Sequence, residues 1–408
     1  MFATKIFTKN NTKLLFSTSS VKTRNFLTTA AVNAEGIKTA LYDFHIQNQG
    51  KMVPFAGYQL PVLYEGDDGG VLKEHLHTRS PDGAAMFDVS HMGQLRWKGK
   101  DAVAFLEKMI VGDVQNLESS RARLSMITNE DGNILDDTIV TNFGDHIFMV
   151  VNGACKHSDM AHFDKYLTDF NGDVSYEYLD GRSLLALQGA KAEAVLSRHC
   201  DADLSELDFM QGIKATVCGV SDCTVIRCGY TGEDGFEIGM PNENATAIAE
   251  ALFNEPESLL AGLGCRDSLR LEAGLCLYGN DLDDTTSPVE GTLLWTISKE
   301  RRKNGGFLGA EAIQNQIANG VSRKRVGISG MKAPARQGAK IMSADGSEEI
   351  GIVTSGTFSP CLKKPVAMGY INVPHHKNGT EIAIDKGRGK LQTAQVTKMP
   401  FVANNYKR

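Results

Sequence analysis

No apolar run in this 408-residue chain approaches the roughly 18 residues that a membrane-crossing helix needs, so no transmembrane helix is expected. None of the eight cysteines (155, 200, 218, 223, 228, 265, 276 and 361) forms Cys-x-x-Cys. The nearest set, Cys218, Cys223 and Cys228, is spaced by five in strand-like sequence. That spacing places neighbours on opposite faces of a strand, which is wrong for a shared metal. Reduced, buried thiols in a reducing compartment fit the pattern better. The phosphate-loop pattern G-x-x-x-x-G-K and the dinucleotide pattern G-x-G-x-x-G are both missing. No nucleophile elbow or Ser-His-Asp order stands out, and there is no internal repeat or extended low-complexity segment.

Acidic residues are missing from the first 34 positions, where Lys5, Lys9, Lys13, Lys22 and Arg24 recur among Ser, Thr, Asn, Phe and Leu. This is the composition of an organellar transit peptide, expected over residues 1–30, and the mitochondrial matrix suits the reduced thiols. Removing it would take the formal charge from −6 to about −11. A mature chain that acidic is not expected to bind nucleic acid.

What is present is a hydrophobic fraction of 42% and 41 glycines. The first supports a sizeable core in a soluble, globular chain, and the second fits a turn-rich chain of many short strands. At this length two or three domains are expected. Residues 41–64 start helical and become strand and turn, and 69–79 read as a short helix. Residues 84–100 read as a strand that turns. Residues 101–111 read as a helix with Asp101 as its N-cap, and 123–154 as a meander. Helices are expected at 155–169, 189–199 and 244–254, and strands at 183–188, 213–228 and 235–240. A charged, then glycine-rich stretch at 298–306 marks a boundary, followed by a helix at 309–317 and short strands from 323 to the end. Mixed helices and hairpins with a terminal β-rich segment give an α+β class with a C-terminal β-barrel or sandwich.

Two adjacent carboxylates interrupt the strand-like run "GNILDDTIV" (132–140). Simple alternation puts Ile134, Asp136, Thr138 and Val140 on one face and Leu135, Asp137 and Ile139 on the other. The second face is otherwise wholly large and apolar, so Asp137 is the expected inward carboxylate. A buried carboxylate needs hydrogen-bond partners or a raised pKa, and either suits a site; accepting backbone amides in a bulge is the structural alternative. In "GFEIGM" (235–240), alternation sets Phe236, Ile238 and Met240 against Glu237. An acceptor-only Glu237 could grip the N–H/NH₂ edge of a heterocycle, or simply be solvated. Arg266 and Arg270, four apart in a helical stretch, could share a face that recognises an anion or carbonyl. His75 and His77 are two apart in helical sequence, so they do not point together, and with His91 they give no expected metal site.

Seven stretches now carry a resemblance: "KMVPFAGYQLPV", "FDVSHMG", "TNEDGNILDDTIV", "CGYTGEDGFEI", "RDSLRLEAGLCLYGND", "TSGTFSP" and "KMPFV", in order from residue 51 to 402. The chain resembles the aminomethyltransferase family, the T-proteins of the glycine cleavage system. The resemblance implies a three-domain, cloverleaf-like α+β fold around a central channel. Its folate-binding region would span 36–305 in two subdomains and its C-terminal β-barrel 320–408. It implies transfer of the methylene of an aminomethyl group, carried on the lipoyl arm of an H-protein, to tetrahydrofolate. The products are 5,10-methylenetetrahydrofolate and ammonia, in glycine catabolism. Carried over by position, Asp137 is the catalytic carboxylate, Glu237, Arg266 and Tyr230 match folate-binding positions, and Tyr406 matches a further substrate contact. Tyr58 departs from the family's tryptophan but keeps an aromatic surface. No metal and no membrane partner are implied, and a monomer is the default. Two rivals remain: a flavin-fused demethylating oxidoreductase, for which dinucleotide fingerprint and spare length are lacking, and a non-enzymatic folate-binding iron–sulfur maintenance protein. The latter's cysteine motif is missing from "NGGFLGAEA" (304–312). The basic stretches "SKERRKNGG" and "SRKRVG" are either solvated surface or a docking patch for the H-protein.

Overall fold

The computed structural model describes residues 36–387 and 389–407; the leader expected over residues 1–30 lies outside them. Two sheets position the site. The meander expected over 123–154 forms Ala122–Thr128, Ile134–Asn142 and Ile147–Val151, hydrogen-bonded in that order and extended by Gly93–Lys98 and Ser175–Tyr178 into five strands. A six-stranded sheet runs Gln211–Val217, Val220–Arg227, Gly235–Pro241, Arg182–Gln188, Ala84–Asp88 and Ser258–Leu260. The inner faces of the two meet in one apolar layer, in which Phe148, Val150 and Ile139 pack with Ala85, Leu184, Ala186 and Ile226. Each outer face is closed by helices. Phe105, Leu106 and Phe163 cover Trp97 and Val140 of the first sheet. Val195, Leu196, Ile248 and Leu252 cover Phe236, Ile238 and Met240 of the second, the face that alternation assigned to them. A strand buried on one side by helices and on the other by a second sheet has little need of polar alternation, which is why these strands read as nearly continuous apolar runs.

The C-terminal strands close into a barrel in the order Arg323–Ser329, Lys364–Asn372, Glu349–Ser359, Lys340–Ser343, Glu381–Asp385 and Leu391–Thr397. Closure leaves no unpaired edge. Its interior is filled by Ile328, Ile341, Val353, Ile371, Ile384 and Val396. The α+β class with a C-terminal barrel is therefore the observed architecture.

Helix Leu263–Glu272 joins the parts. Cys265 and Leu269 face the inter-sheet layer, and Leu271 packs on Val366 and Met368 of the barrel. Arg270 is buried, with Asp281 Oδ2 at 2.6 Å and the Ser355 hydroxyl of the barrel at 2.9 Å. Its guanidinium is thus a clamp rather than a second half of the arginine face expected with Arg266.

Two local expectations are corrected, and one segment gains detail. Residues 213–228 are not one strand but a hairpin, Gln211–Val217 and Val220–Arg227, turned by Cys218 and Gly219 at φ 50° and 80°. Asp101 does not cap its helix: its carboxylate accepts the amide of Asp173 instead, at 2.7 Å. The charged stretch at 298–306 contains a short helix, Lys299–Asn304, capped by the Ser298 hydroxyl.

Candidate functional site

A β-bulge lies just before the two aspartates of the central strand. Asp136 pairs with Ile127 and Ile134 with Thr128, which leaves Leu135 extra. The bulge turns Leu135 into the helix-covered core beside Val140, while Ile134 packs on the opposite side with Met126 and Leu282. Simple alternation had joined Leu135 to Asp137, and one extra residue breaks that count. The fully enclosed carboxylate is Asp136, at 0% exposure, and Asp137 faces a cavity of about 1030 Å³. The expectation of a single inward aspartate is corrected accordingly: Asp136 is buried in the core, and Asp137, on the opposite face, is half-buried and lines the cavity.

Asn152, at the end of strand Ile147–Val151, ties the pair together. Its amide N–H donates to Asp136 Oδ2 at 2.8 Å; its Nδ2 donates to Asp136 Oδ1 at 2.8 Å and to Asp137 Oδ1 at 2.9 Å. Burial, and then the charge of Asp136, push the Asp137 carboxyl up to about 7, against the pull of the Asn152 bond and the Arg266 charge. Burial likewise raises Asp136 to about 6 despite its bonds to Asn152. Asn152 was not among the sequence-derived site residues; its only sequence signal is a polar side chain closing an apolar strand beside two carboxylates in the meander.

Glu237 lies on the cavity side of its strand. Burial raises its pKa, while Arg266 and the Cys228 thiol work the other way. Arg266, in the first turn of helix Leu263–Glu272, stands over the Tyr230 ring with its guanidinium carbon 4.9 Å from the centroid, a stacking geometry that suits arginine. The Tyr230 hydroxyl donates to the Cys276 carbonyl, so its ring rather than its oxygen is available. The turn before it needs glycine: a Cβ on Gly229 would lie 1.9 Å from Gln188 Oε1. Tyr406 reaches the same cavity from the C-terminal tail and stacks on Phe209, centroids 4.0 Å apart and planes 13° apart. Its neighbour Asn405 holds the tail by donating to both oxygens of Glu233, at 3.1 and 3.0 Å. Asp137, Tyr230, Glu237, Arg266 and Tyr406 therefore line one cavity, with Asn152 and Phe209.

The other sequence candidates fall elsewhere. His75 is buried between the Ser268 hydroxyl, 2.7 Å, and Glu272 Oε2, 3.0 Å, while His77 meets the Glu257 carbonyl. Cys361 joins His75 and Glu272, so three ligand-type atoms do come together at the barrel, a grouping the sequence spacing did not foresee. Burial alone would raise Glu272, but His75 and the Ser359 and Cys361 donors hold it down to about 2. The basic stretches are not free patches. Arg301 is buried and bonded to Glu107 and to the Ile110 carbonyl; Arg325 is buried, with the Gly291 carbonyl at 2.9 Å; Arg323 pairs with Glu290. Lys299 and Lys303 remain exposed. Among the described residues no helix is long and apolar enough to cross a membrane.

Comparison with known proteins gives a consistent picture. The GCVT N-terminal domain model matches residues 41–301, and the glycine cleavage T-protein C-terminal barrel domain model matches residues 323–403. The mitochondrial aminomethyltransferase of Mesembryanthemum crystallinum is 48% identical over 92% of this chain and 92% of its own length. That of Dictyostelium discoideum is 44% identical over 99% of this chain and 98% of its own. The crystal structure of the glycine cleavage system aminomethyltransferase T from Bartonella henselae superimposes with a TM-score of 0.84 at 40% identity, covering 91% of this chain and 99% of that one.

Proposed function

This chain belongs to the glycine cleavage T-protein family and is an aminomethyltransferase; from that premise we propose that Asp137 is its catalytic carboxylate and that Glu237, Arg266, Tyr230 and Tyr406 hold tetrahydrofolate in the cavity. One observation carries the reading: five residues chosen from motifs spread over residues 137–406 wall a single space of about 1030 Å³, ample for a folate-sized ligand. The donor is the aminomethyl group on the lipoyl arm of an H-protein, and the setting is the mitochondrial matrix. We divide the chain into a folate-binding region at 36–305 and a barrel domain at 320–408, acting as a monomer. No observation favours the iron–sulfur maintenance reading.

The chemistry explains the residue types. A pterin offers a lactam N–H and an exocyclic amine, and an acceptor-only Glu237 can take both in parallel. Arg266 supplies fixed positive charge above the Tyr230 face, for a carbonyl or carboxylate of folate. Transfer breaks the C–S and C–N bonds of S–CH₂–NH₂ and forms two C–N bonds to folate N5 and N10. The protons from N5–H and N10–H leave with ammonia and with the lipoyl sulfur. Asp137 accepts from the attacking nitrogen and stabilises the positive charge that develops there. A carboxyl raised to about 7 is well matched to taking and returning that proton near neutrality. Much of the acceleration comes from holding two substrates together, since effective molarities reach ~10⁵–10⁸ M.

The test is 5,10-methylenetetrahydrofolate formation by leader-trimmed protein given tetrahydrofolate and aminomethylated H-protein, beside Asp137→Asn. Formation that collapses in the variant supports both assignments. A variant with near-normal single-turnover rate would remove Asp137 from the chemistry.

A further inference from the structure

Behind the cavity wall lies a second carboxyl pair that the transfer chemistry does not use. Asp136 and Asp159, the latter in the first turn of helix Lys156–Leu167, are 0% and 1% exposed. The two carboxyls are neighbours, and burial together with the charge of Asp136 raises Asp159. Two ionised carboxylates do not stay neighbours away from water, and among the described residues no lysine, arginine or histidine is bonded to either. The pair must hold a proton. Asp136 already accepts from Asn152 through both oxygens, whereas Asp159 Oδ2 is buried without a donor. The proton therefore belongs on Asp159, pointing at Asp136.

We propose that Asp159 is a positioning residue for the transfer: its protonated carboxyl donates to Asp136, Asp136 stays an acceptor for Asn152, and Asn152 thereby fixes Oδ1 of Asp137 and leaves the other carboxylate oxygen to the substrate. The inference rests on the assignment of Asp137 as the catalytic carboxylate. The chain Asp159–Asp136–Asn152–Asp137 carries the arrangement from the helix-covered core through the sheet to the cavity. Such networks rigidify only when every member is satisfied, and one buried proton satisfies this one. The titratable groups facing the pair are Cys155 from the turn before the helix, Tyr278 from the loop after helix Leu263–Glu272, and Asp137 across Asn152. Asp284 also faces Tyr278, and Arg266 faces Asp137 from the cavity. Burial and the charge of Asp136 both raise Asp159, in keeping with a held proton.

The variants are Asp159→Leu, which removes the donor, and Asp159→Asn, which keeps one. In Asp159→Leu, Asp136 must take up a proton itself and Asp137 loses a neighbouring charge. kcat then falls roughly 10–100-fold from lost positioning, and the acid limb of the kcat/KM profile moves to lower pH. Asp159→Asn restores most of kcat and the original limb. An unmoved limb in Asp159→Leu, or Asp159→Asn as impaired as Asp159→Leu, overturns the proposal, because a purely packing role moves stability and not the limb. If the leucine variant fails to fold, infrared spectroscopy of wild type and Asp159→Asn decides. A buried protonated-carboxyl stretch persisting at neutral pH in wild type and lost in Asp159→Asn supports the proposal; its absence from wild type overturns it. That band is independent of turnover, so an active Asp137→Asn would sink the assignment of Asp137 while leaving the protonated pair standing.

Discussion

The guanidinium of Arg266 lies over the face of Tyr230, 4.9 Å from the ring centroid, and the Tyr230 hydroxyl is turned away to the Cys276 carbonyl. The pair presents a flat surface and a fixed charge to the cavity, not a phenol. Tyr230→Phe should therefore leave tetrahydrofolate affinity within about threefold, costing one hydrogen bond of about 0.5–1.5 kcal/mol in stability. Tyr230→Ala should weaken affinity by roughly tenfold or more, since it removes the platform as well. Titration of folate binding in both variants checks this; equal losses would return the role to the hydroxyl.

Asp137 should trade stability for activity. Its carboxyl is raised by burial and by Asp136 to about 7, so it binds a proton more tightly folded than unfolded. A group raised in this way contributes stability fully present below its unfolded value near 4, and that stability is lost as pH rises to about 7. Asp137→Asn cannot ionise, so its Tm should exceed that of wild type by a margin that grows between these pH values. Turnover should fall about 10²–10⁴-fold. A Tm difference that is flat with pH would show that Asp137 ionises freely in the folded protein.

The acid limb of the wild-type kcat/KM profile should lie near neutrality rather than near 4, because activity requires the Asp137 carboxylate and its pKa is about 7. A limb at the ordinary carboxylate value would mean that bound substrates or water relieve the burial.

The two arginines of helix Leu263–Glu272 should fail differently. Arg266→Ala should weaken tetrahydrofolate binding with the melting transition intact. Arg270→Ala leaves Asp281 buried without its guanidinium partner, and removing one member of a buried pair costs about 3–5 kcal/mol. Chemical denaturation beside folate titration separates them, and a reversed pattern would exchange their roles.

For the H-protein, the exposed cations of the basic helix are Lys299 and Lys303. Reversing both charges should weaken docking in a salt-dependent way, while Arg301→Glu should cost stability instead, because Arg301 is buried against Glu107 and the Ile110 carbonyl. Docking that is indifferent to the lysine reversal at low salt would place the interface elsewhere.

The sequence by itself determined the local pieces of this protein. Alternation set Phe236, Ile238 and Met240 against Glu237, the meander and the barrel strands are legible from short apolar runs between glycine-rich turns, and ordered motifs named five residues that prove to share a cavity. These follow from short-range chemistry: side-chain period, turn residues, and residue types matched to a ligand. Tertiary structure decided what each polar group is for. Arg266 and Arg270 are four apart on one helix, yet one faces the cavity and the other is claimed by Asp281 and the barrel, which no periodicity distinguishes. Arg301 reads as a surface cation until a neighbouring helix buries it. A single bulge at Leu135 changes which apolar residues share a face with Asp136 and with Asp137, and Asn152 joins the two aspartates across two strands. The physical reason is common to all three. A charged side chain takes its role from the partners and the dielectric around it, and those are supplied by residues distant in the chain and near only after folding.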